Sequence, residues 1–176
     1  MYDHDGRNDG EVKESAVAKS TGEQDEKNML MQDAALFRVL SSGKKISKEE
    51  TEYREYQSED SDPDKPVCRK CKFNLGDEKK CHVVEGKINN EYGISKFFSA
   101  KGEGMLPGDI VWNFIKKTGR KLKYEEGYVI ENGADGFQCK DCKFYMYSGN
   151  CLLIKGKFRP EMSCGFIVKT GNGTDV

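Results

Sequence analysis

The chain has no apolar run approaching the roughly 18 residues that a transmembrane helix requires. Its first residues, MYDHDGRNDGEVKESAVAKS, lack the basic start and apolar stretch of a signal peptide. Both absences lead to the expectation of a soluble cytoplasmic protein without a membrane partner. Histidine is scarce, with only His4 and His82. There is no His-Glu metal-protease pattern, and no nucleophile stands in a recognisable elbow. The glycine-containing stretch AKGEGMLPGD lacks the Gly-Lys-Ser/Thr ending of a phosphate loop. The expectation is therefore a protein that is not an enzyme. Apolar residues are also in modest supply, 36% of 176 residues against 34% charged, with a mean hydropathy of -0.78. Small modules with so limited a core usually need staples, covalent or metallic. In a reducing cytosol the seven cysteines are better read as metal ligands than as disulfides.

The net charge of -1 conceals a segregation. Residues 1–28 carry eight acids and four bases, and EETEYREYQSEDSDPD (49–64) carries eight acids and one base. The remainder holds 24 bases against 14 acids, so the cysteine-bearing parts are basic. A nucleic-acid or phosphate partner is one reading of this charge, positive surroundings for a buried anionic cluster another, and a solvated basic face balanced by the acidic stretches a third. Residues 1–28, low in aromatics and rich in Glu, Ser, Lys and Gly, have the composition of a disordered acidic arm.

Self-comparison reveals a repeat. MLMQDAALFRVLSSGKKISKEE begins at Met29 and MLPGDIVWNFIKKTGRKLKYEE at Met105, an ungapped offset of 76 that pairs Asp33 with Asp109 and Gly43 with Gly119. At the cysteines the offset falls to 71, after a shortening of the acidic linker SEDSDPDKP. Both copies then read C-x-x-C-K-F, a third cysteine (Cys81, Cys151) and a Gly-Lys pair. The fold expected is α+β: two tandem loop-rich cysteine modules, 29–104 and 105–170, each a short helix followed by an irregular metal-binding segment with short strands. Residues 171–176 are expected as a flexible tail, where Asn172 opens a glycosylation sequon without a secretion signal.

Asp33 and Asp109 are read as N-caps of the two helices, and Gly43 and Gly119 as their left-handed ends. Ser47 to Glu50 resembles a capping box for a second helix, whereas GYVIENGADG reads as a short strand and a turn. HVVEGKI and LLIKGKF are expected as short strands. A helix-turn-helix is disfavoured because its second helix, SKEETEYREY, is too acidic to lie against phosphates, and nucleic acid is not expected as a partner. Glu49-Glu50 and Glu125-Glu126 are read as solvated acids, and Trp112 as core.

The second copy holds four cysteines, Cys139, Cys142, Cys151 and Cys164, spaced C-x2-C-x8-C-x12-C. Such an S4 set suits zinc or an iron-sulfur cluster. Only one C-x-x-C turn exists per copy, and single cysteines arriving from separate loops favour a body larger than one ion. The segment CKDCKFYMYSGNCLLIKGKFRPEMSCGF resembles the high-potential iron-sulfur proteins. The likeness lies in a C-x-x-C followed by an aromatic pair, a third cysteine leading into an apolar pair and a glycine turn, and a last cysteine followed closely by an aromatic. It covers about thirty residues. The resemblance implies that Cys139, Cys142, Cys151 and Cys164 hold one [4Fe-4S] cluster within an enclosure of Phe144, Tyr145, Tyr147 and Phe166. It further implies one-electron transfer with an acidic redox partner.

In the first copy, aligning GISKFF with MSCGFI puts Ser95 where Cys164 stands. Cys68, Cys71 and Cys81 are thus left without a fourth thiol. The readings are a degenerate unit without metal, a zinc site completed by His82, a cluster with Ser95 or water at the unusual corner, or a disulfide between two of the three. His82 is otherwise expected as a lone exposed residue. From a different class comes a structural protein of a larger assembly, such as a virion component, with modules stapled by a cluster, zinc or disulfides.

Overall fold

The computed structural model describes residues 29–58 and 62–171, so the expected acidic arm (1–28), part of the acidic linker and the tail from Asn172 lie outside the described residues. The order is helix α1 (Met31–Ser42), strand β1 (Arg54–Glu55), strand β2 (Gly93–Ile94), helix α2 (Pro107–Thr118), strand β3 (Tyr145–Met146) and strand β4 (Asn150–Cys151). Short 3-10 turns stand at Cys68–Lys70, Gly76–Glu78, Tyr124–Gly127 and Cys139–Asp141. This is a mixed α and β chain with two small antiparallel sheets. Arg54 faces Ile94 in one, and Tyr145 faces Cys151 in the other. No described helix is long and apolar enough to cross a membrane.

Both helices end as the sequence predicts. Gly43 (φ 70°) and Gly119 (φ 69°) take the left-handed conformation that costs a glycine little, and their N–H groups close on Val39 and Ile115. The starts differ from expectation. Leu30 and Leu106 occupy the cap positions, with no side-chain cap, while Asp33 and Asp109 lie inside the first turn. Their carboxylates are instead engaged by Lys72 and Lys143. A negative charge is still favourable there, beside the positive end of the helix dipole.

The expected second helix is a single turn. Ser47 Oγ accepts the Glu50 N–H at 3.1 Å, but the Glu50 carboxylate reaches out to Arg38 rather than back to Ser47. The chain then turns at Glu52 (φ 51°) and enters β1. HVVEGKI and LLIKGKF form isolated parallel bridges, Ile46 with Val84 and Leu122 with Ile154, rather than extended strands. GYVIENGADG likewise contributes only the antiparallel bridge of Ile130 with Ser163.

Two apolar cores result. One gathers Leu36, Ile46, Phe73, Val83, Val84 and Ile88; the other gathers Val111, Phe114, Phe144, Leu153, Phe158 and Phe166. They interlock, because Ile110 of α2 belongs to the first core, whereas Phe37 and Leu40 of α1 pack on the second. Phe37 meets Phe114 edge-on at 5.5 Å. The start of α2 lies so close to the segment after Cys164 that a Cβ at Gly108 would stand 2.4 Å from the Phe166 carbonyl oxygen. Only a residue without a side chain permits that approach.

Candidate cysteine centre

Each half builds its cysteine site the same way. In the first, Cys71 donates its N–H to the Cys68 carbonyl at 3.0 Å; in the second, Cys142 donates to Cys139 at 2.9 Å. These closed turns bring both side chains of each C-x-x-C pair to one side. The third cysteine arrives next, through the Asn74–Cys81 bridge in one half and the β3–β4 hairpin in the other. Its carbonyl is held by a lysine ammonium from the loop after the helix, Lys45 for Cys81 and Lys121 for Cys151. The last position comes from the segment returning to the helix. Lys96 donates to Thr51, and Gly165 to Gly127, both at 3.0 Å, which leaves Ser95 and Cys164 at matching places in the two halves.

The four thiols of the second half share one environment. Burial pushes Cys164 up to about 12; the Phe166 N–H acts in the opposite direction, and Cys151, Cys142 and Cys139 add to the rise. Burial likewise takes Cys139 to about 11, with Cys151 and Cys142 contributing. Cys151 is raised by burial against N–H donation from Leu153 and Ile154. The amides of Leu153 and Phe166 lie 3.4 Å from the Cys151 and Cys164 sulfurs. Buried thiols, close enough to disfavour one another's charge and supplied with backbone donors, suit a positive body that displaces their protons. Among the described residues, no group of three or more His, Cys, Asp or Glu side chains is gathered to hold a metal ion.

Of the expected enclosure, Phe144 and Phe166 are buried and Tyr145 is half-buried, all packed in the second core with these cysteines. Tyr147 is 92% exposed and encloses nothing, because it sits at the tip of the β3–β4 hairpin. Leu153, Met162 and Val168 supply apolar cover that the sequence reading missed.

In the first half, Cys68, Cys71, Cys81 and Ser95 line a cavity of about 10 Å³, together with Phe73 and Phe97. Burial pushes Cys68 up to about 12, with Cys81 and Cys71 adding. The Val83 N–H lies 3.4 Å from the Cys81 sulfur, as Leu153 does for Cys151. All seven cysteines are free thiols, so no disulfide joins two of the three.

His82 is not the exposed residue the sequence suggests, for it is only 3% accessible. Its ring turns away from the cysteines and into the other half. It stacks on Phe166 at 4.5 Å, meets Tyr128 edge-on, and donates from Nε2 to the Gly165 carbonyl at 3.1 Å. The role is to join the two halves beside Cys164. Burial lowers its pKa from 6.5 to about 3. The folded chain therefore holds His82 neutral, whereas the unfolded chain protonates it below about pH 6.5. His82 stabilises the fold fully above that pH, and the contribution is lost as pH falls toward 3, by up to about 1.4 kcal/mol per pH unit. A His82→Gln variant is expected to lose this slope when denaturant midpoints are compared between pH 5 and 7. Identical slopes in the two proteins would show that His82 titrates normally in the fold.

No protein-family model matches the chain, and no similar curated protein or solved structure was found. The functional reading rests on the residues themselves.

Proposed function

We propose that this chain is a tandem duplication of a cysteine module whose second copy holds one [4Fe-4S] cluster and transfers single electrons. The observation that carries it is the gathering of Cys139, Cys142 and Cys151, all buried, and half-buried Cys164 in one apolar core. One C-x-x-C turn per half, with the other two cysteines arriving singly from separate loops, favours a four-cornered cluster over one zinc ion. The likeness of 139–166 to high-potential iron-sulfur proteins supports the same donor set. When bound, the cluster supplies a one-electron couple. The chain's own residues exclude water through Phe144 and Phe166, and place the Leu153 and Phe166 amides at two sulfurs, where hydrogen bonds shift the potential. Matching helix ends, lysine-to-carbonyl ties and cysteine turns support the duplication. The surplus of basic residues suits an acidic redox partner.

A second reading, a structural protein of a larger assembly such as a virion, is favoured by the first half. There Ser95 stands at the fourth corner, and the cavity beside it is about 10 Å³, room for one water at most. That centre is closed by packing, and on this reading the second serves as a staple too. Iron, sulfide and zinc analysis with visible spectroscopy on oxygen-free protein separates the readings. The expected result is about four irons per chain with a broad thiolate-to-iron absorption that Cys164→Ser abolishes. A colourless protein containing zinc or no metal, or full iron retention in Cys164→Ser, would overturn the proposed donor set. A cluster that cannot be reduced and reoxidised without unfolding would leave it a staple.

A further inference from the structure

A cavity of about 290 Å³ lies between the two halves, at the carboxyl end of α1. Its lining is dominated by positive charge from Lys45, Arg120, Lys121, Lys123 and Lys155, against one carboxylate, Glu126. Glu126 is already engaged, accepting the Lys123 backbone N–H at 2.8 Å. Among the described residues, none of the five cations forms an ion pair with a carboxylate. Such a concentration of unneutralised cations around a concave site raises the local concentration of anions.

The cations are arranged in two ways. Lys45 and Lys121 are half-buried, each fixed by one hydrogen bond to a cysteine carbonyl. An ammonium has three donors, so each keeps donors for a ligand while its position is set in advance. Arg120, Lys123 and Lys155 are exposed around the opening. The wall between them is aromatic, with Tyr128, Phe166 and His82 contributing ring surface and Lys45 lying 5.1 Å over the Tyr128 ring. A multiply charged group would meet the lysines and the arginine, and a ring would meet the aromatic wall. The volume lies at the lower end of small-molecule sites, about 300 Å³ and upward.

We infer that this inter-half cavity binds a small organic phosphate, with Lys45, Arg120, Lys121, Lys123 and Lys155 taking the phosphate and Tyr128 and Phe166 packing on its organic part. The cavity shares Phe166 and the Lys45 and Lys121 ties with the cysteine centre but needs no metal, so its test reads ligand binding rather than iron content.

The experiment is calorimetric titration of the full chain with adenosine monophosphate, and separately with inorganic phosphate, at low and high salt. Saturable binding of adenosine monophosphate at one per chain is expected, weakened by salt. The variant Arg120→Gln/Lys123→Gln/Lys155→Gln changes only exposed side chains and should leave the folding transition in place while weakening binding at least roughly tenfold. Lys87→Gln, exposed and outside the cavity, should change nothing. Absence of saturable binding of either probe, or binding that the triple variant leaves unchanged, would overturn the assignment. Equal affinity for inorganic phosphate would overturn its organic part.

Discussion

A Ser95→Cys variant is expected to raise the iron content from about four to about eight atoms per chain, with a matching gain in visible absorption. Ser95 lines the same small cavity as Cys68, Cys71 and Cys81, one residue before the Lys96 amide that repeats the anchorage of Gly165. The change replaces a hydroxyl by a thiol at a half-buried position, and a cluster there requires the Phe73 and Phe97 wall to give way around a cavity of about 10 Å³. It returns the first half to four thiols, with the Val83 amide already at the Cys81 sulfur as Leu153 is at Cys151. The expectation rests on the cluster proposed for the second half. Iron held at about four per chain in a folded variant would mean that the first half has lost more than a ligand. In that case the apolar packing around Phe73 and Phe97 is the obstacle, and the first half serves as a structural module.

Replacing Asp33 by Ala is expected to cost about 3–5 kcal/mol, the range for stranding a buried charge. Lys72 and Asp33 are 1% and 3% accessible, and the ammonium also donates to the carbonyls of Glu103 and Met105 at 3.1 and 3.0 Å. Without Asp33 two carbonyl acceptors remain, but no opposite charge. The matching pair in the second half, Lys143 with Asp109 at 2.6 Å, is 39% and 27% accessible, so water takes over much of what the carboxylate supplies. Asp109→Ala should accordingly cost about 1 kcal/mol or less. Both aspartates occupy the first turn of a helix, so the dipole contribution is similar in each and drops out of the comparison. Denaturant unfolding of the two variants measures the difference, and equal losses would show that burial does not set the strength of the pair. Asp33→Leu combined with Lys72→Met should recover most of the loss, because it removes both charges and keeps the volume.

The two helices, their glycine ends and the recurrence of the cysteine pattern could be read from the chain, because each is a local signal. Gly43 and Gly119 are fixed by the need for positive φ, which few residues other than glycine accept cheaply. The equivalence of Ser95 with Cys164 followed from aligning Phe97 with Phe166, and matching hydrogen bonds at Lys96 and Gly165 place the two alike. The cap assignment of Asp33 and Asp109 failed for an instructive reason. An aspartate near a helix start satisfies the same dipole whether it caps amides or meets a lysine, and the lysine here comes from 39 residues further along the chain. The signal was nevertheless present, since Asp33 with Lys72 and Asp109 with Lys143 both recur at matching places in the repeat. Tyr147 was misplaced because an alternating aromatic pattern does not tell which face of a two-residue hairpin meets the core.

By itself, the sequence determined the cysteine spacing, the glycine ends of the two helices and the segregation of acidic from basic stretches, all properties of residues near one another along the chain. Only the tertiary structure decided that His82 joins the halves rather than completing a metal site, that Ile110 and Phe37 interlock two cores, and that five cations border one cavity. Those outcomes depend on which surfaces meet across long stretches of chain. The free energy of that meeting comes from burying apolar area and from partnering the polar groups taken out of water with it.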